Sequence, residues 1–242
     1  PRPITSFLAL TVGVLIKYLA LIFGPLLLAA SLRRLPTWRA RAGLIIWGAL
    51  ICGGLVALAY APFWQGAATL RNFGDRGSLF YASPIAVLQA AMQEIGLTKA
   101  AAQSMASLGA TLLLAGGALF SAWRGWRAPA NVPAHALGLL LWFLLVANPW
   151  FQPWYLLWPL ALVAVQPQNT RAVKTIVLFS LTAMISYLAG SFLLPALGWQ
   201  GESAAWNLLL TILIYGPPLL VLLGGRGLLL RQADARALIG VE

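Results

Sequence analysis

The chain has 242 residues, of which 61% are hydrophobic and only 9% charged, with a mean hydropathy of +0.84 and a formal net charge of +11. A soluble domain carries roughly a quarter charged residues, so this composition excludes a soluble globule and places the chain in a membrane. The apolar segments are long, which excludes a barrel of roughly ten-residue alternating strands and predicts an all-α membrane protein: a bundle of about seven transmembrane helices plus a short amphipathic helix on the outer surface. The basic residues cluster between apolar runs, where they set topology and contact membrane lipid, so no nucleic-acid partner is expected. The one cysteine, Cys52, lies inside an apolar run and reads as a small buried hydrophobe.

The first apolar run, residues 4–30, is entered through Thr5 and Ser6, either of which can cap a helix, and closes on Arg33, Arg34, Arg39 and Arg41. Basic loops face the cytoplasm, so this cluster lies inside and the chain starts outside. A second span, 43–62, runs outward to a loop, 63–83, that carries Arg71, Asn72, Asp75 and Arg76. Ser83, Pro84 and Gly96 mark the N-cap, first residue and stop of a short helix. Ile85, Leu88, Met92 and Ile95 share one stripe of it, with Gln89, Gln93 and Glu94 away from that stripe, which predicts a helix lying flat on the outer surface. Span three, 100–123, is rich in small residues that permit close packing, and Arg124 and Arg127 end it inside. Spans four, 136–146, and five, 154–165, are short and flank an aromatic turn. Arg171 and Lys174 mark another inner loop. Span six, 175–197, goes out, and span seven, 205–223, returns past the breaker Gly216-Pro217-Pro218 to Arg226, Arg231 and Arg236, which places the C-terminus inside. The chain reads as a single polytopic domain over 1–242, crossing the cytoplasmic membrane several times.

Two features stand out from this frame. Residues 148–160, NPWFQPWYLLWPL, crowd Trp150, Phe151, Trp154, Tyr155 and Trp158 into nine positions around Pro153 and Gln152. Trp and Tyr settle where hydrocarbon meets water, and the two prolines force a turn, so this segment either anchors a helical hairpin or holds a ligand. Lys17 is the one charge that falls inside a span. Near the bilayer centre a lysine costs about 2.5 to 3.5 kcal/mol, so it needs a partner, a cavity or a lipid headgroup, unless it snorkels outward. Counted back from the arginine cluster, it lies in the outer half of the layer, at a depth similar to the aromatic turn. His135, alone at a helix entrance, is given no function. No Gly-rich phosphate loop, metal-spaced cluster or Ser/His/Asp set is found, so no metal and no cofactor is expected and no catalytic residue is identified.

Lys17-Tyr18 followed by Gly24-Pro25, a basic inner loop, and then the run from Asn148 to Leu160 resemble the later spans of bacterial GT-C type glycosyltransferases, above all the polyprenyl-phosphate-dependent mannosyltransferase-like members. The resemblance covers most of the chain. It implies sugar transfer on the outer face from a polyprenyl-phosphate donor, and reads the chain as the C-terminal part of a longer enzyme whose catalytic acid lies upstream. On that reading Lys17, with Tyr18 beside it and Arg71 or Arg76, binds the donor phosphate, while Gln152, Trp154 and Tyr155 bind the sugar. The residues by themselves leave open a lipid or solute transporter, with Lys17 as its substrate site, and a non-catalytic membrane subunit that the aromatic turn anchors.

Overall fold

The computed structural model describes residues 3–70, 79–198 and 204–239. In chain order the helices are α1 (Pro3–Ile16), α2 (Gly24–Arg34), α3 (Trp38–Tyr60), α4 (Pro84–Glu94) and α5 (Lys99–Arg127). They continue as α6 (Val132–Trp142), α7 (Leu157–Ala164), α8 (Thr170–Leu188) and α9 (Ala204–Ile239). Among the described residues there is no strand, only one isolated bridge between Tyr81 and Trp150. Among the described residues, five stretches are long and apolar enough to cross a membrane: Trp38–Phe63, Lys99–Arg127, Pro129–Ala147, Thr170–Leu193 and Ala204–Gly224. The all-helical membrane class therefore holds, but two of the seven expected spans, Pro3–Ile16 and Pro153–Ala164, are shorter apolar helices. The latter rises only about 18 Å against a hydrocarbon layer of about 30 Å. Span four is longer than expected, because Pro133 starts a helix earlier in the chain and a π-turn, Phe143–Ala147, carries it to the edge of the aromatic motif.

The chain divides into two compact units. The first comprises Pro1–Leu79 and Ser107–Ala147. Here the expected first span is not one helix. It breaks at Lys17, whose backbone is extended (φ −153°, ψ 113°), continues as a 3-10 turn over Tyr18–Phe23, and restarts as α2 with Pro25 in its first turn. Pro25 lacks the N–H that a continuous helix would need and would crowd the Leu21 carbonyl. The fold-back is tight, for a Cβ placed on Gly13 would lie 3.4 Å from the Ala20 methyl. α1 packs against α3. At the other end of this unit the arginines are tied down. Arg41 Nε donates to the Leu32 and Leu35 carbonyls at the end of α2, both at 3.1 Å, and Arg34 of the last turn of α2 donates to the Pro129 carbonyl that precedes α6. Arg33 and Arg41 lie over the Trp126 ring, and Arg127 lies 4.4 Å from the Trp123 ring centroid.

The second unit comprises Phe80–Ala106 and Asn148–Glu242. Ser83 caps α4 by accepting from the Ala86 N–H at 3.1 Å, as the sequence predicts. The helix does not present the predicted stripe to one surface. It packs on α9 and buries Ile85, Ala86, Gln89 and Ala90, while Leu88 and Ile95 are exposed. Small Ala86 and Ala90 allow the close approach that the larger stripe residues would prevent. The Gly216-Pro217-Pro218 breaker does not break α9 either. Pro218 has no N–H for the Ile214 carbonyl four residues earlier, and the Thr182 hydroxyl of α8 reaches that carbonyl at 2.9 Å. Thr182→Val should therefore cost about 0.6 to 1.7 kcal/mol, the range measured for such bonds in membranes. Thermal unfolding in detergent checks this through a double-mutant cycle. In a Pro218→Ala background residue 218 regains its donor and Thr182→Val should be nearly silent, whereas an equal cost in both backgrounds rules the bond out.

Candidate functional site

The aromatic turn belongs to the second unit and is gripped from residues 81–83. The Tyr81 N–H donates to the Pro149 carbonyl (3.1 Å), the Phe151 N–H donates to the Tyr81 carbonyl (3.0 Å), and the Ser83 hydroxyl donates to the same Pro149 carbonyl (2.8 Å). Between them Ala82 sits at φ 47°, a left-handed conformation that costs an alanine roughly 1 to 2 kcal/mol. Its N–H is held at 3.0 Å by Asn207 Oδ1 from α9. The grip is thus paid for in local strain, which neighbouring hydrogen bonds hold in place.

Side chains of the extended segment alternate. Phe151 is only 1% exposed and stacks on Phe179 (5.4 Å between centroids, 11° between planes), with Tyr215 edge-on at 5.6 Å. Trp150 and Gln152, its neighbours on either side, stay half-buried. Beyond Pro153, Tyr155 is buried and lies parallel to Trp158 at 5.8 Å, whereas Trp154 is 49% exposed and meets Tyr155 edge-on. Among the residues expected to hold a sugar, Trp154 therefore has the accessible ring and Gln152 an amide that caps no helix. Burial pushes the Tyr81 hydroxyl above the usual phenol range, opposed in part by its hydrogen bond with Trp206.

Tyr81, the clamping use of Ser83, and Asn207 escape the sequence reading. Ser83 is legible only as a helix cap, and a polar Asn207 inside an apolar span is the signal that was available.

Lys17 lies in the first unit, at the break after α1. It lines a cavity of about 1300 Å³ between α1 and α3, together with Leu10, Tyr18, Cys52, Tyr60 and Trp64. Its walls are largely apolar, with aromatic hydroxyl and indole groups among them. Cys52, expected as a buried core residue, is half-exposed on this wall. Arg71 and Arg76, with Asn72, Asp75 and Glu202, lie outside the described residues.

Residues 81–199 match the family described as the MptB C-terminal domain. Over this stretch, just under half of its length, the chain is similar to that family. The matched stretch begins at Tyr81, whose backbone grips the turn, and contains the whole aromatic motif, while Lys17, Tyr18 and their cavity precede it. MptB is a GT-C type mannosyltransferase, and the chain's several membrane-spanning helices agree with a multi-pass membrane enzyme. No curated protein and no solved structure matches the chain.

Proposed function

We propose that this chain is the donor-handling part of a membrane glycosyltransferase that moves a mannosyl or related hexosyl group from a polyprenyl phosphate to an acceptor on the outer face of the cytoplasmic membrane. The observation that carries this reading is the MptB match across the clamped aromatic turn. In the transfer, the acceptor oxygen bonds to the anomeric carbon as that carbon's bond to the donor phosphate oxygen breaks. The electron pair leaves with the lipid phosphate, and the acceptor proton passes to a carboxylate supplied from outside this stretch. A cation beside the departing phosphate stabilises the charge it gains, and that is the part assigned to Lys17, with Tyr18 next to it and Arg71 and Arg76 as further phosphate contacts. Trp154 offers its ring to the apolar face of the sugar, while Gln152 and the Tyr155 hydroxyl bond to sugar hydroxyls.

Membranes that contain the full-length protein should transfer label from a polyprenyl-phosphate mannose, and Gln152→Ala should raise the donor KM about two- to twelvefold through the loss of one neutral hydrogen bond. Transfer from a nucleotide sugar with no lipid donor present would overturn the reading. Sidedness is checked in intact cells with an impermeant thiol reagent and a Cys52-free background. A cysteine at Gln65 should react and one at Arg39 should not, and the reverse result would turn the site to the inner face.

A further inference from the structure

Three helix ends meet at one boundary of the first unit: the C-termini of α2 and α5 and the N-terminus of α3. Gly125 lets α5 close down on α2, because a Cβ there would stand 2.6 Å from Leu26 Cδ1 and 3.2 Å from the Leu26 carbonyl oxygen. Thr37 starts α3 by accepting from the Ala40 N–H at 3.2 Å, only three residues after Arg34 ends α2. The result is a convergence of arginines on two indoles of α5. Arg33 from α2 and Arg41 from α3 lie 5.9 and 5.5 Å from the Trp126 ring centroid, and Arg127 lies 4.4 Å from that of Trp123. Trp123 and Trp126 are three residues apart and so neighbours on the helix surface. Both are exposed, as are Arg33, Arg39 and Arg127.

Among the described residues of this unit there is no carboxylate to offset that charge. Its sequence holds a single acid, Asp75, which lies outside the described residues. Helix dipoles account for arginines in the last turns of α2 and α5, but they oppose Arg39 and Arg41 at the start of α3, where an anion is favoured. The rings orient the guanidiniums without neutralising them. Arg41 uses only its Nε–H on the Leu32 and Leu35 carbonyls, which leaves four N–H groups for an oxyanion. The depth of the patch names that anion. α3 and α5 run directly from it into stretches apolar enough to cross a membrane, and exposed tryptophans settle where hydrocarbon meets headgroups, so the oxyanions met here are lipid phosphates.

We propose that this corner is a defined site for one anionic phospholipid, its phosphate held by Arg33 and Arg41 beside Trp126, with Arg127 beside Trp123 as a further contact. This goes beyond the diffuse attraction of basic loops to a charged membrane, because side chains from three helices converge on one place. The site is independent of the donor reading, since neither Lys17 nor the aromatic turn takes part in it.

Native mass spectrometry of the full-length protein in detergent tests the proposal, with phosphatidylglycerol and phosphatidylcholine titrated in turn. One saturable adduct is expected with phosphatidylglycerol and a much weaker one with phosphatidylcholine. Arg33→Gln should raise the phosphatidylglycerol half-saturation point about tenfold, the loss expected for one charge-assisted bond, and Arg33→Lys should raise it less. Arg33 is exposed, so the lipid-free variants should melt with the wild type. The double variant Arg171→Gln/Lys174→Gln removes two positive charges from the second unit and should leave the adduct unchanged. Equal binding of the two lipids, undiminished binding in Arg33→Gln, or an equal loss in Arg171→Gln/Lys174→Gln would overturn the site.

Discussion

Lys17→Met is expected to lower transfer from a lipid-phosphate donor about ten- to hundredfold, the worth of one charge-assisted hydrogen bond to a departing phosphate. The effect should fall on kcat more than on KM, because the phosphate gains charge as its bond to the sugar breaks. Lys17→Arg should restore part of the rate, since the charge remains while the donor geometry changes. Cys52 gives a second readout, for it lines the same cavity. Polyprenyl phosphate should protect the Cys52 thiol from alkylation in wild type and protect it less in Lys17→Met. Folding should be unaffected, because Lys17 already sits at a break between helical segments and bridges no continuous helix. Equal transfer rates and equal Cys52 protection in wild type and Lys17→Met would return Lys17 to a snorkelling cation at the membrane boundary.

Phe151→Ala should produce the largest loss of stability in the second unit. The ring is almost wholly buried between Phe179 and Tyr215. Removing it leaves a cavity on the order of 100 Å³, which at about 24 cal/mol per Å³ costs about 2.4 kcal/mol, and the two ring contacts add to this. The Phe151 N–H also pairs with the Tyr81 carbonyl, so loosening the ring loosens the grip on the turn. A fall of several degrees in the melting temperature of the detergent-solubilised protein is expected, together with weaker donor binding. Trp154→Ala makes the contrast, since its half-exposed ring contributes little to packing and its loss should affect donor binding alone. If Phe151→Ala melts with the wild type, Phe151 is not the anchor of the turn.

Most of the helical frame is legible locally. Ser83 before Pro84 caps a helix because a side-chain oxygen three residues ahead of an open N–H binds it, whatever surrounds them. The spans near 43–62 and 100–123 follow from apolar length alone, and both are long enough to cross. Lys17 is conspicuous because charge inside an apolar run is rare. What escapes is pairing across the chain. The stripe Ile85, Leu88, Met92 and Ile95 has helical spacing, yet α4 buries a neighbouring face because α9 packs there. The Pro217-Pro218 pair reads as a break, and α9 runs through it because a threonine on another helix meets the freed carbonyl.

The sequence by itself determined the solvent, the helical class, the positions of the long spans and the two places where unusual chemistry stands, Lys17 and the aromatic turn. These rest on composition, run length and nearest neighbours, which are local. Only the tertiary structure decided that the first span folds back at Lys17 beside a cavity, and that Phe151 is the anchor of the turn while Trp154 stays accessible. It also decided that Tyr81, Ser83 and Asn207 clamp the turn, and that Arg33 and Arg41 meet at Trp126. Each of these depends on partners that lie far apart in the chain or on helices meeting side by side, and no local pattern of hydropathy or propensity encodes which residues will meet.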